Sequence, residues 1–203
     1  MIQVVDGTNR ALFSAQLEQM YRRRHRGRVG AYGWHFSAPL PQPNIDEFDT
    51  EDAVLILELD NARNVTGGLR LIPTARRSVI GTYFSHAVAS GKPPMDDQIY
   101  ELSHYFITEA QHGLSERQRL GRLFCAAFDY GLRKSVSHFS LICNMEFLPT
   151  LLSFHWSIIP LGLPIAHEDH ECVAVLIELS HIALALTREE CDLSGHAMSE
   201  AFH

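Results

Sequence analysis

Two charged residues stand where the chain is otherwise apolar. Arg70 interrupts Leu69-Arg70-Leu71-Ile72, and Glu101 sits between Tyr100 and Leu102. A charge on a strand that folding will bury needs a partner or a pocket, so both positions are candidates for chemistry rather than solvation. Asp46 and Asp49, three residues apart, precede Arg70 and have the chemistry to cap a turn. A clump of arginines, Arg22, Arg23, Arg24, Arg26 and Arg28, gathers near the start of a chain whose net charge is −7, from 17 Lys+Arg against 24 Asp+Glu. Such a molecule as a whole should repel nucleic acid and anionic membrane, so the clump has a local meaning. His167 and His170 beside Glu168 and Asp169 give a weak metal signal, but with Pro164 and Glu171 around them a hairpin loop is the preferred reading. None of the four cysteines forms a C-x-x-C pair. Cys125, Cys143 and Cys172 lie in apolar runs as reduced core residues, and no metal is expected.

The elements that must position these residues follow from periodicity. A chain of 203 residues, 46% hydrophobic and 20% charged, has the size and composition of one globular domain. That domain is expected over 1–203, with about 189–203 as a loose tail. Met1 to Asn9 lacks the basic-then-apolar design of a secretory signal, and no apolar run approaches membrane-spanning length, so a cytoplasmic protein is expected. Arg10 to Arg26 reads as a helix capped by Asn9, with Leu12, Phe13, Leu17, Met20 and Tyr21 at helical spacing. Gly27, Gly30 and Gly33 lead to Trp34, and Pro39, Pro41 and Pro43 mark an extended connection. Ala53 to Leu59 is an apolar run suited to a strand buried on both faces. Asn61 to Gly68 is turn chemistry, and Leu69 to Ile72 returns as a hairpin partner.

Tyr100 to Ile107 resembles a further strand. Ser115 and Gln118 stand at capping-box spacing at the head of a helix running to about Lys134. His138 to Cys143 is a strand, Glu146 to Phe154 a short helix, Ser157 to Leu161 and Cys172 to Leu179 strands, and Ile182 to Glu190 a closing helix. This order gives one α/β layered domain with a mixed sheet. It is the layout of the N-acyltransferase superfold, an α/β/α sandwich whose central strand hands over to a helix that receives the acyl donor's pantetheine at its N-terminus. Gln118-Arg119-Leu120-Gly121-Arg122 stands at that place and matches part of the superfold's glycine-containing loop, with Leu123 where a second small residue is usual. Free N–H groups and the helix dipole there would attract phosphate; an ordinary basic first turn of a surface helix is the alternative.

Several segments in register carry a more specific resemblance. Met20-Tyr21-Arg22-x-Arg24-His25 leads to Gly33-Trp34, then Ile45-Asp46-Glu47-Phe48-Asp49, Gly68-Leu69-Arg70-Leu71-Ile72-Pro73-Thr74, Phe84, and Ile99-Tyr100-Glu101-Leu102-Ser103. Together they resemble the acyl-homoserine-lactone (autoinducer) synthases of bacterial quorum sensing, over Met1 to about Arg188. The resemblance implies an enzyme that joins S-adenosylmethionine, as substrate and not cofactor, to an acyl group carried on acyl carrier protein or coenzyme A. The substrate amine attacks the thioester, and its carboxylate then displaces methylthioadenosine to close the lactone. It implies catalytic roles for Glu101, Asp46 and Arg70, and S-adenosylmethionine contacts from Arg24, Trp34, Asp46, Asp49 and Phe84. Asp46, Asp49 and Glu101 suit a cationic substrate, a carboxylate or a water it holds suits the base, Trp34 suits a π contact, and Arg24 and Arg70 would hold the carboxylates. Core packing for Trp34 and Phe84 is the plain alternative.

Three positions depart from the family pattern. Arg28 stands for an aromatic residue, Asn44 for a glutamate and His104 for an arginine. The losses at Asn44 and His104 cancel in charge, Arg28 adds one positive charge, and His104 would make the cluster sensitive to pH near neutrality. Three readings follow: a working synthase with a rearranged charge cluster, a diverged homologue that binds S-adenosylmethionine or carrier protein without making signal, and an N-acyltransferase with another amine acceptor. The acyl pocket is expected along Leu120 to Leu132 and Phe139 to Cys143, with Met145, Phe147 and Leu152 nearby. Arg22 and Arg26, with Arg117, Arg119 and Arg122, are candidates for docking an acidic carrier protein.

Overall fold

Alternation along the strands sets the layers. A computed structural model of the chain describes residues 1–26, 45–108 and 113–193, the side chains of 24–26 excepted. Among the described residues eight strands form one sheet: β1 (Ile2–Val5), β2 (Val54–Leu59), β3 (Val65–Pro73), β4 (Ile99–Ile107), β5 (His138–Asn144), β6 (Ile158–Pro160), β7 (Ile165–His167) and β8 (His170–Glu178). The order is β1-β2-β3-β4-β5-β8-β6, with β7 also on β8. Only β4 and β5 pair in parallel, because the long helix α3 (Glu116–Arg133) crosses over between them. The remaining described helices are α1 (Ser14–Arg26), α2 (Val79–Tyr83), α4 (Leu148–Leu152) and α5 (His181–Glu190).

On β2, Val54 and Ile56 join the core under α3 and α5, while Leu55, Leu57 and Leu59 pack with Phe13, Leu17 and Met20 beside α1. Leu69 and Leu71 of β3 repeat the first pattern. A third apolar group, including Phe48, Ile72, Val79, Ile80, Phe84 and Ile142, covers the face opposite α3 further along the sheet, beside α2. The result is the expected α/β/α sandwich. No helix among the described residues is long and apolar enough to cross a membrane.

Most elements stand where the periodicity puts them, and the differences have local causes. The first helix opens as a 3-10 turn, Arg10–Phe13, and Asn9 does not cap it with its side chain. Instead the Asn9 amide accepts from the Asp6 N–H at 3.0 Å and donates to the Val4 carbonyl at 3.0 Å, tying β1 to the turn. The β2–β3 turn closes by Asn64, so Val65 to Gly68 is strand rather than turn. The glycines are there for close approach: a Cβ on Gly68 would stand 3.0 Å from the Ile56 carbonyl and 3.2 Å from the Phe106 ring. Helix α3 begins as the sequence implies, with Ser115 and Gln118 satisfying each other's backbone N–H groups. The His167–His170 segment is the β7–β8 turn. Packed chain continues past α5, since Cys191 and Leu193 are buried in the core.

The feature that matters most for chemistry is a fork. β4 pairs with β5 only from Ile99 to Glu101, opposite His138 to Ser140. Beyond that rung β4 stays with β3 as far as Ile107, and β5 stays with β8 as far as Asn144. Glu101 therefore lies where the sheet begins to open.

Candidate active site

Leu69 and Leu71 point toward α3, so Arg70 between them points to the opposite face. There it is completely buried, 0% exposed. Its guanidinium grips Asp46 with both terminal nitrogens, Nη1 to Oδ1 at 2.5 Å and Nη2 to Oδ2 at 3.0 Å. Nη1 also reaches Asp49 Oδ1 at 2.9 Å, and Nε donates to Ser103 Oγ at 3.1 Å. The bidentate fit is what distinguishes arginine from lysine here. Burial alone would lower the Arg70 pKa, but the Asp49 and Asp46 carboxylates hold it above its usual value.

Both carboxylates also shape their own turn, so the capping reading and the ion-pair reading hold together. Asp46 Oδ1 accepts from the Phe48 N–H at 2.9 Å, and Asp49 Oδ2 accepts from the Asp46 N–H at 3.0 Å. Glu47 pairs with Arg77 and accepts from the Tyr83 hydroxyl, and the Phe48 ring lies 5.8 Å from the Arg70 guanidinium carbon. Four consecutive side chains thus pin one short segment against β3 and α2.

His104 enters this cluster through a backbone irregularity. Gly68 pairs with Phe106 and Arg70 with Ser103, so Leu69 alone faces His104 and Tyr105. This is a β-bulge, and His104 takes the left-handed conformation with φ +51. In a regular strand Ser103 and His104 would point to opposite faces. The bulge instead lets Ser103 reach Arg70 and His104 Nε2 reach Asp46 Oδ2 at 2.8 Å, while Tyr105 turns into the α3 core. Burial pulls the Asp46 pKa upward, but the His104 hydrogen bond and the Arg70 charge outweigh it and hold the carboxyl well below the usual range.

Glu101 is 1% exposed and lies on the same face as Ser103, two residues on. Its Oε1 accepts from the Val79 N–H and its Oε2 from the Ile80 N–H, both at 2.9 Å, so it holds the first turn of α2. Burial is the largest influence and pushes its pKa up to about 7, against the pull of these N–H groups, Arg70 and the Ser78 hydroxyl. A carboxyl balanced near neutrality at the mouth of a forked sheet is suited to exchange a proton.

The other candidates fall differently. Phe84 is 1% exposed, with its ring 4.8 Å from that of His167, a core position. Arg28, Trp34 and Asn44 lie outside the described residues, as does the Arg24 side chain. Of the expected donor loop, Gln118 spends its side chain on the capping box. Arg119 is buried, bound to Glu58 at 2.6 and 2.8 Å and to the carbonyls of Thr66 and Thr108. It is therefore unavailable as a docking residue, a correction whose cause is Glu58, far away in sequence on β2. Arg122 lies 3.9 Å from the same carboxylate. Arg117 is tied to Ser153 and Glu190, joining α3 to α4 and α5.

Gly121 makes room for the end of α5, because a Cβ there would stand 2.1 Å from Cys191 Sγ. Gly121→Ala is accordingly expected to cost about 1–3 kcal/mol of stability, measured by urea unfolding. Among the pocket residues, Phe147 stacks on Tyr105 at 5.8 Å, whereas Leu152 is 53% exposed and stands outside the core. Ser103 and Tyr105 were not singled out by the sequence as site residues. Ser103 is discoverable in principle, two positions from Glu101 on a strand. Among the described residues no group of three or more His, Cys, Asp or Glu side chains is placed to hold a metal ion.

Comparison with known proteins identifies the family. The family model described as autoinducer synthase matches residues 9–184. The chain belongs to that family. Among its curated relatives, the isovaleryl-homoserine lactone synthase of Bradyrhizobium diazoefficiens is 31% identical over 180 residues, 88% of this chain and 80% of the relative. The solved structure of MesI, a CoA-dependent acyl-homoserine lactone synthase, superposes with a TM-score of 0.85 at 27% identity, over 99% of this chain and 100% of that one. BjaI, a CoA-dependent acyl-homoserine lactone synthase solved with SAM and isopentyl-CoA, gives a TM-score of 0.84 at 28% identity, over 95% and 89%. In this autoinducer synthase the buried charge cluster and Glu101 lie on one face of the sheet, with Glu101 where β4 and β5 part.

Proposed function

We propose that this autoinducer synthase acylates the amine of S-adenosylmethionine from an acyl-CoA thioester, closes the lactone and releases methylthioadenosine. The observation that carries the reading is the buried cluster of Arg70, Asp46, Asp49 and His104 next to Glu101 at the fork. One guanidinium against two carboxylates leaves one excess negative charge while His104 is neutral, which suits a substrate with sulfonium and ammonium groups. Glu101, ionised, takes a proton from the ammonium. The freed nitrogen forms the bond to the thioester carbonyl carbon and the C–S bond breaks, the nitrogen giving up its second proton as the thiolate departs, so that the products are the amide and the free thiol. The substrate carboxylate then attacks the carbon bound to the sulfonium, and that C–S bond breaks to release methylthioadenosine. Asp46 and His104 orient the substrate, held in place by the enclosed Arg70 and Asp49, together with Arg24 and Trp34 as the family resemblance implies.

Two observations favour coenzyme A over carrier protein as donor. Two of the similar solved structures, MesI and BjaI, are CoA-dependent synthases. Three of the five arginines that could dock an acidic protein are also paired within the chain: Arg22 with Glu18, Arg117 with Glu190 and Arg119 with Glu58. His104 in direct contact with Asp46 favours a working synthase over a homologue that only binds. Both substrates are cytoplasmic metabolites, and we place the enzyme there, with no resident cofactor.

The test is to supply S-adenosylmethionine with a panel of CoA and carrier-protein thioesters and follow methylthioadenosine and acyl-lactone together. Both products, formed faster from CoA thioesters, are expected. Tight S-adenosylmethionine binding without turnover would leave a binding protein, and an acylated amine without methylthioadenosine would point to another acceptor.

A further inference from the structure

Ser140 is a buried hydroxyl that the chemistry above does not use. It is 1% exposed on β5, and among the described residues its Oγ has no hydrogen-bond partner. A buried hydroxyl left unmatched carries an uncompensated desolvation penalty, so its persistence calls for a second state in which it is matched. Its position supplies one. Ser140 is the direct register partner of Glu101, on the last rung before β4 and β5 part. Ile142, two residues on, packs with Val79 and Ile80 on the face that Glu101 caps, so Ser140 shares that face.

The Glu101 carboxylate has acceptor capacity to spare. Its two oxygens offer about four lone-pair sites, and Val79 N–H, Ile80 N–H and the Ser78 hydroxyl engage some of them. The charged groups around it are Arg70 from β3, with Asp46 and Asp49 beyond it, and His104 further along β4. From α2 it meets backbone N–H groups and Ser78, and from β5 only Ser140 stands in register with it.

We infer that Ser140 is a positioning residue for the Glu101 base, its hydroxyl rotating to donate to the carboxylate when Glu101 is ionised and releasing it when Glu101 takes up the amine's proton. The inference rests on the functional reading above. It requires no new reactant, since the proton moves only between substrate amine and Glu101, and Ser140 keeps its own.

Ser140→Ala removes the donor while also removing an unmatched polar group. Its urea midpoint is expected to be unchanged or higher, while methylthioadenosine formation is about three- to tenfold slower near pH 6.5 and converges on the native rate at alkaline pH. Ser140→Thr, which keeps the hydroxyl, is expected to restore the native profile. Difference infrared titration of the carboxyl band lost in Glu101→Gln gives a readout independent of turnover. An alkaline shift of that band's midpoint in Ser140→Ala supports the inference, and an unshifted midpoint overturns it. Should Ser140→Ala fail to fold, Ser140→Cys, a weak donor of similar shape, is expected to show the same shift, and a native midpoint there overturns it equally. Absence of turnover in the native protein would defeat the functional reading, while the titration would still decide the role of Ser140.

Discussion

Arg70→Ala is expected to cost about 3–5 kcal/mol of folding stability, because it leaves two buried carboxylates without their cation. Arg70 is wholly enclosed, and Asp46 and Asp49 are nearly so, at 11% and 1% side-chain exposure. Water cannot readily replace the guanidinium there. Arg70→Lys keeps the charge but loses the fork geometry and the Nε bond to Ser103, so it should recover only part of the loss. Urea unfolding of the three proteins measures the order. The pH dependence gives a second signature. Asp46 has a depressed folded pKa, so its contribution is complete above the ordinary carboxylate range and is lost as pH falls toward the folded value. Native stability should therefore fall on acidification more steeply than that of Arg70→Ala. Parallel curves would mean that Arg70 does not set the Asp46 titration.

Glu101→Gln is expected to lower turnover by about 10²–10⁴-fold, the usual contribution of a positioned general base, with only a modest effect on stability. The glutamine amide oxygen can still accept one of the two α2 N–H groups, leaving the other short of its acceptor at about 1–3 kcal/mol. Native turnover should rise with pH through about 7, where Glu101 ionises. Stability should move the other way. Glu101 has a raised folded pKa, so its contribution is present below its ordinary value of 4.5 and is lost as pH rises to about 7. The Gln variant lacks that slope. Equal turnover in the two proteins would remove Glu101 from the chemistry. Equal slopes between about pH 4.5 and 7 would show that burial does not raise its pKa.

Arg70 and Glu101 were legible because strand alternation leaves no solvent for a charge placed among apolar neighbours. Asp46 and Asp49 were legible as a turn, and their shared partner only through the family resemblance. His104 illustrates what a one-dimensional pattern omits. The run Ser103-His104-Tyr105-Phe106 reads as continuous alternation, yet a bulge between β3 and β4 moves His104 onto the charged face and Tyr105 off it. Arg119 looked like a basic surface turn because its burial depends on Glu58, Thr66 and Thr108, none of them local to the start of α3 except the last. The Gly67-Gly68 pair looked like a turn for a similar reason: the Phe106 ring that demands bare backbone comes from another strand. Long-range contacts, rather than weak local signals, account for each difference.

The most direct measurement is the stoichiometry of products from S-adenosylmethionine and acyl-CoA, by mass spectrometry, in native protein and in Glu101→Gln. One acyl-homoserine lactone per methylthioadenosine is expected from the native enzyme. Neither product is expected from the variant at comparable rates, although it should still bind S-adenosylmethionine at Asp46 and His104, the exposed edge of the cluster. Native protein that binds S-adenosylmethionine yet forms no lactone from any thioester, or a variant that turns over as fast as the native enzyme, would contradict the account.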